Sequence, residues 1–133
     1  MIHEKNTNVL VTDDSLTDVR VIKKYLSNTA FRVVSAYSAE ETFTILQKEK
    51  IHLILMDLVL PEINGIEICK KIKKTPYTRG IPLIMISGQP THESVVESLQ
   101  AGARDFLVKP FNKEKLLKKI SRYQVKKKPA RLF

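Results

Sequence analysis

Short apolar runs alternate along the chain with longer stretches in which apolar residues recur every three or four positions. Val9-Leu10-Val11 leads into the acidic pair Asp13-Asp14, after which Leu16, Val19, Ile22, Tyr25 and Leu26 fall on one helical stripe. Phe31 to Ala36 reads as a second strand. Ser38-Ala39-Glu40-Glu41 then has capping-box form and opens a helix through about Lys48. Leu53 to Met56, with Ile51 before them, run into Asp57 and Leu58-Val59-Leu60-Pro61. Such a run suits a strand covered on both faces. Ile63, Ile66, Ile68 and Ile72 share the next stretch with Lys70, Lys71, Lys73 and Lys74, predicting a helix whose basic end suits the macrodipole. Ile81 to Ile86 is a further buried strand, stopped by Ser87-Gly88. Val95, Val96 and Leu99 lie on a helix that Gly102 ends. Phe106-Leu107-Val108 is a last strand, and Asn112 caps a final helix bearing Leu116, Leu117 and Ile120. Strand and helix thus alternate five times, which implies a parallel sheet with helices on both faces and right-handed crossovers.

In such a sheet every strand's carboxyl end lies on one edge, where open α/β folds bind their ligands. The first strand ends at Asp13-Asp14, the third at Asp57, the fourth at Ser87-Gly88 and the fifth, after Val108, at Lys109. Carboxylates gathered this closely repel one another and call for a cation. An all-oxygen donor set favours a hard ion such as Mg²⁺. A metal beside a lysine makes a place for a phosphoryl group, with Asp57 the candidate nucleophile forming an aspartyl phosphate. Taken singly, Asp13-Asp14 suits a helix cap, Asp57 a turn residue, Lys109 a surface lysine and Ser87-Gly88 a turn. Their joint placement on one edge is what those readings do not explain.

The 133 residues form one domain of ordinary size, with 43% apolar and 28% charged residues. No apolar run approaches a membrane span, and the polar start Met1 to Asn6 lacks a signal peptide's apolar core. Cys69 is the sole cysteine, so no internal disulfide is expected and a cytoplasmic setting is. The net charge of +9 has a definite location: residues 1–108 carry thirteen basic and thirteen acidic groups, whereas 109–133 carry ten basic against Glu114 alone. A neutral domain with a basic end makes weak support for nucleic acid as a partner. The expected organisation is a domain over 1–124 and a basic tail over 125–133, the latter a solvated tail, a linker to an absent output domain or a polycationic patch. His3, His52 and His92 share no ligand spacing, Cys69 reads as a buried small hydrophobe, and the glycines form no phosphate-cradling loop.

Val11-Thr12-Asp13-Asp14, Leu55-Met56-Asp57-Leu58-Val59-Leu60-Pro61, Gly65, Ile86-Ser87-Gly88 and Val108-Lys109-Pro110-Phe111 together resemble the receiver domain of bacterial two-component response regulators, chemotaxis regulators among them, over about residues 8–124. The resemblance implies a flavodoxin-like, doubly wound (βα)5 three-layer sandwich with strand order 2-1-3-4-5. It implies Asp57 as phosphoacceptor, Asp14 as a direct Mg²⁺ ligand, Asp13 acting largely through water, and Val59 as a backbone carbonyl ligand. Ser87 matches the switch hydroxyl, Gly88 the small residue beside the phosphoryl group, Phe106 the switch aromatic and Lys109 the phosphate-binding lysine. Lys109-Pro110 matches a bond usually cis in the family. Phe106 has no ring hydroxyl to report its inward state, and core packing is its plainer role. Val59 and Gln89 stand where the family tunes dephosphorylation.

The function implied is a phosphorylation-dependent switch in two-component phosphorelay signalling, not an enzyme with a separate substrate. The implied partners are a sensor histidine kinase or histidine phosphotransfer domain, docking near Leu16, Val19 and a Leu58 expected to be exposed. Output runs through a downstream effector or self-dimer on the face of the fourth helix, fifth strand and fifth helix. The alternatives are a phosphate-independent module on the same fold, or a receiver excised from a longer regulator with a DNA-binding or enzymatic output. An aspartate-nucleophile phosphatase would want a general acid at position 59, where Val59 stands.

Overall fold

The structure, a computed structural model, describes residues 4–126. Five strands and five α-helices alternate: β1 (Thr7–Thr12), α1 (Leu16–Tyr25), β2 (Phe31–Ala36), α2 (Ala39–Lys48), β3 (Leu53–Asp57), α3 (Gly65–Lys74), β4 (Leu83–Ser87), α4 (His92–Gln100), β5 (Asp105–Val108) and α5 (Lys113–Ile120), with a short 3₁₀ turn at Ser121–Tyr123. All strand pairs are parallel and the order is β2-β1-β3-β4-β5, the flavodoxin-like arrangement expected from the sequence.

Why the helices start where they do is explicit. Ser15, Ser38, Asn64, Thr91 and Asn112 each accept a hydrogen bond from a backbone N–H three residues on, filling an otherwise unpaired donor of the first turn. At Ser38 half of the anticipated box forms: its hydroxyl takes the Glu41 N–H, while the Glu41 carboxylate accepts from Tyr37 rather than Ser38. The full reciprocal box is at Thr91 and Ser94. After α4, Gly102 takes φ +112°, the left-handed conformation open to glycine.

Period-two alternation sorts the core into two layers. Val9, Val11, Leu53 and Leu55 face Val19 and Ile22 of α1 and Leu116 and Ile120 of α5. Leu10, Ile54 and Met56 face the other side, with Leu46 of α2 and Ile68, Cys69 and Ile72 of α3. Every residue of β3 and β4 is buried, as the continuous apolar runs demand. Burying each of these large aliphatic side chains contributes about 1.5–3 kcal/mol.

The α1 stripe is narrower than the sequence pattern suggests. Val19, Ile22 and Leu26 are buried, but Leu16 is 49% exposed at the helix's first position. Leu58 corrects the opposite expectation: it is buried in the α2–α3 layer, because the chain turns inward after Asp57 to bring Gly65 under β3. Cys69 is buried, as expected of a small hydrophobe. The start of the presumed tail packs against β1: the Val125 N–H donates to Thr7 Oγ1, and its carbonyl accepts from Asn6. Lys127, Lys128, Pro129 and Phe133 lie outside the described residues, as does His3. No helix among the described residues is long and apolar enough to cross a membrane.

Candidate functional site

At the carboxyl edge of the sheet, β1 and β3 run in register up to Thr12 opposite Met56, so the next residues bring Asp13 and Asp57 together. One carboxylate oxygen each from Asp13, Asp14 and Asp57 lies within 4.8 Å of the others. Asp13 and Asp57 are buried, whereas Asp14 is exposed at the mouth. Backbone amides orient the two buried acids. The Ser15 N–H donates to Asp13 Oδ1 at 2.9 Å, and the Val59 N–H to Asp57 Oδ1 at 3.0 Å.

Lys109 enters from the end of β5, its N–H bonded to the Ser87 carbonyl of β4 at 2.8 Å. Its ammonium donates to Oδ2 of Asp13 at 2.9 Å, Asp18 at 2.7 Å and Asp57 at 3.1 Å. Burial opposes the charged form of Lys109. The hydrogen bonds to Asp13 and Asp18 and the charges of Asp13 and Asp57 outweigh burial and raise its pKa above that of free lysine. Burial pushes the Asp13 carboxyl up from its ordinary value, against the bonds from Lys109 and Ser15; the nearby Asp57 charge acts in the same direction as burial. The result is an acidic crevice with one ammonium inside it, its charged form favoured by the surrounding carboxylates.

The remaining expected residues fall around this centre at different distances from the chemistry. Ser87 ends β4, is buried, and accepts the Gln89 N–H at 3.1 Å. A side chain at Gly88 would meet only Lys109 Cβ, at 3.8 Å. The Val59 side chain is 67% exposed, and it is the residue's backbone that touches the site. Phe106 is half-buried and packs on the α2–α3 layer rather than among the carboxylates. The Lys109-Pro110 bond is cis, as the resemblance implied. His52 and His92 stand apart: His52 Nδ1 accepts the Asn8 N–H, and burial, then Lys50, lowers its pKa.

Asp18 was not picked out in the sequence, and Gly65 was named there only as a motif position, with no role given. Asp18 sits in the first turn of α1, where an acid reads as a response to the helix dipole. Its position one turn beyond Asp14, facing the strand that ends in Lys109, was the available clue. Gly65 begins α3 directly below Asp57: an added Cβ would collide with the Asp57 carbonyl oxygen and lie 3.0 Å from Met85 Sδ. Its own N–H donates to the Leu58 carbonyl at 2.7 Å, closing the loop that carries Val59.

The family model of the response regulator receiver domain matches residues 9–121. The chain belongs to that family. The receiver is 30% identical over 110 residues to the two-component response regulator ORR3 of Oryza sativa subsp. indica, covering 82% of this chain and 84% of the relative. It superposes on chemotaxis protein CheY4 of Vibrio cholerae with a TM-score of 0.83 and 29% identity, over 88% of this chain and 98% of that one. The BeF3-activated receiver domain of DrrB is similar at a TM-score of 0.78 and 29% identity, over 92% of this chain and 97% of the other. Receiver domains are signalling domains of two-component systems that work with histidine kinases and generally bind Mg²⁺ at their acidic site. The three convergent carboxylates of this receiver are a donor set of that kind.

Proposed function

We propose that this receiver takes a phosphoryl group from a phosphohistidine onto Asp57 and signals in that state. The reading rests above all on one observation: three carboxylates and the Lys109 ammonium converge at one sheet edge, with Asp57 bonded to the lysine. Asp13, Asp14 and Asp57, with the Val59 carbonyl, would hold Mg²⁺. Bound there, the ion supplies charge neutralisation for the phosphoryl oxygens.

The protein's own groups perform the rest. A carboxylate oxygen of Asp57 attacks phosphorus, forming an O–P bond as the N–P bond of the donor breaks, and the imidazole leaves with the electron pair. Val59 N–H fixes the carboxylate by one oxygen, leaving a definite orientation for attack. Lys109 neutralises charge on the transferred oxygens. Gly88 leaves the approach open, and Ser87 turns its hydroxyl from the Gln89 N–H toward the new acceptor. The space Ser87 leaves is taken by the Phe106 ring, altering the α4–β5–α5 face, where Val96, Leu99 and Val108 are exposed. That face meets an effector or a second copy, and Leu16 at the start of α1 meets the phosphodonor. Hydrolysis of the acyl phosphate resets the switch, so no separate substrate is turned over. The setting is cytoplasmic, with residues 125–133 a basic tail.

Incubation with Mg²⁺ and acetyl phosphate, followed by intact mass, tests this. The expected result is one phosphate adduct in the wild type and none in Asp57→Asn. No adduct with any small or phosphohistidine donor would overturn the reading and leave a phosphate-independent interaction module.

A further inference from the structure

The Lys109 ammonium has three N–H donors, and each is taken by a different carboxylate, those of Asp13, Asp18 and Asp57. Any further acceptor must displace one of the three. Asp13 and Asp57 have other company: each has a second oxygen held by a backbone N–H, and both belong to the carboxylate cluster with Asp14. Asp18 lies outside that cluster. Among the described residues Lys109 is the only hydrogen-bond partner of its carboxylate, and their contact is the shortest of the three at 2.7 Å. The first turn of α1 presents it there, where a helix N-terminus favours an acid.

We infer that Asp18 is a latch on Lys109, an acid that competes with phosphoryl oxygens for the ammonium and so sets how firmly the site retains a phosphoryl group. The inference rests on the phosphoacceptor reading of Asp57. Asp18 acts through Lys109 and is a positioning residue. Two effects run in the same direction. Its carboxylate occupies a charge-assisted donor that a phosphoryl oxygen needs. Its charge also makes the crevice more negative by one unit, which opposes an incoming anion. Toward a cation the same charge is attractive, so Asp18 favours divalent metal while it disfavours the phosphoryl group. Asn keeps the shape of Asp18 but removes the charge, and the side chain is 38% exposed, so the substitution leaves packing intact.

The test is titration of the full chain with beryllofluoride, followed by amide chemical shifts, at Mg²⁺ concentrations that saturate each variant. Asp18→Asn is expected to bind beryllofluoride roughly three- to tenfold more tightly than wild type and to bind Mg²⁺ more weakly. Asp18→Glu, which restores the charge, is expected to return beryllofluoride affinity to within about twofold of wild type, a gap small against the cost of losing a charged partner. Glu62→Gln removes an exposed acid of the β3–α3 loop that makes no ion pair with Lys109, and should change little. Unchanged or weaker beryllofluoride binding in Asp18→Asn, with wild type binding normally, overturns the latch alone. An equal gain in Glu62→Gln also overturns it, since a general field would then suffice. If wild type binds no beryllofluoride with Mg²⁺ present, the phosphoacceptor reading falls and the latch falls with it.

Discussion

Gly65 and Gly88 border the same crevice, and their surroundings set opposite expectations. A methyl group at Gly65 runs into the Asp57 carbonyl and presses on Met85 Sδ, neither of which can yield without moving β3 or the core. Gly65→Ala is expected to lower stability by about 1–3 kcal/mol, as overpacking does. At Gly88 the nearest atom is Lys109 Cβ at 3.8 Å, an ordinary contact. Gly88→Ala should stay within about 0.5 kcal/mol of wild type. Urea midpoints for the two variants decide, and a tolerant Gly65 would disprove the close approach. Lys109 carries a pH signature. Its pKa is raised in the folded chain above the ordinary 10.5, so folding binds a proton more tightly. The stability this supplies is complete below about pH 10.4 and lost as pH rises through the folded value, by up to about 1.4 kcal/mol per pH unit. The stability difference between wild type and Lys109→Met should therefore be level at neutral pH and shrink above about pH 10.4. A difference that stays constant to high pH would contradict the stabilisation of the Lys109 charge by Asp13, Asp18 and Asp57. At this scale the sequence was most legible where a residue ended a strand: Asp13, Asp14, Asp57, Ser87 and Lys109 needed only the topology to meet. Asp18 and Leu58 were opaque because tertiary packing fixes them. A first-turn acid looks like any other until its lysine is located, and Leu58 turns inward only because the following loop folds beneath β3.

Among the elements, α4 is attached differently from the other helices. Val96 and Leu99 are exposed, and the buried position is Ser98, whose hydroxyl donates back to the Ser94 carbonyl. By contrast, α3 buries Ile66, Ile68, Cys69 and Ile72. Apolar residues at helical spacing foretold that α4 is a helix but not which side it buries, since hydrophobic spacing marks the core face only when that side is the apolar one. Strands were legible for the complementary reason. β3 and β4 are central in the sheet, both of their faces are covered, and a continuous apolar run has one natural home there. An element with little buried apolar surface opens at low free energy. Amide hydrogen exchange is therefore expected to be at least about tenfold faster in α4 than in α3, a gap of about 1.4 kcal/mol in opening free energy. Equal protection in the two helices would show that α4 is anchored by more than Ser98.

Over the whole molecule, charge is segregated. The site gathers four acids around one lysine, while the excess of basic groups lies in the last twenty-five residues. The acidic crevice is a local source of instability in the metal-free protein, because Asp13 is buried with its pKa raised. The sign follows directly. A carboxyl whose folded pKa exceeds its unfolded value opposes folding once ionised, and acid relieves that opposition. In EDTA, Asp13→Asn is thus expected to melt above wild type at neutral pH, and the gap should close as the pH falls and wild-type Asp13 takes up its proton. Mg²⁺ offsets the same penalty, chiefly the burial of the Asp13 charge and then the neighbouring charge of Asp57, by binding the folded state. At a hundredfold excess over its Kd, the gain for wild type is about 2.7 kcal/mol. For a domain of this length that corresponds to a rise in Tm of roughly 8–15 °C. Asp13→Asn should lose most of that rise, and NaCl at matched ionic strength should not reproduce it, because screening weakens exposed charges more than buried ones. A wild-type Tm insensitive to Mg²⁺ would mean that the three carboxylates tolerate one another through Lys109 alone, and the case for a metal at this edge would be lost.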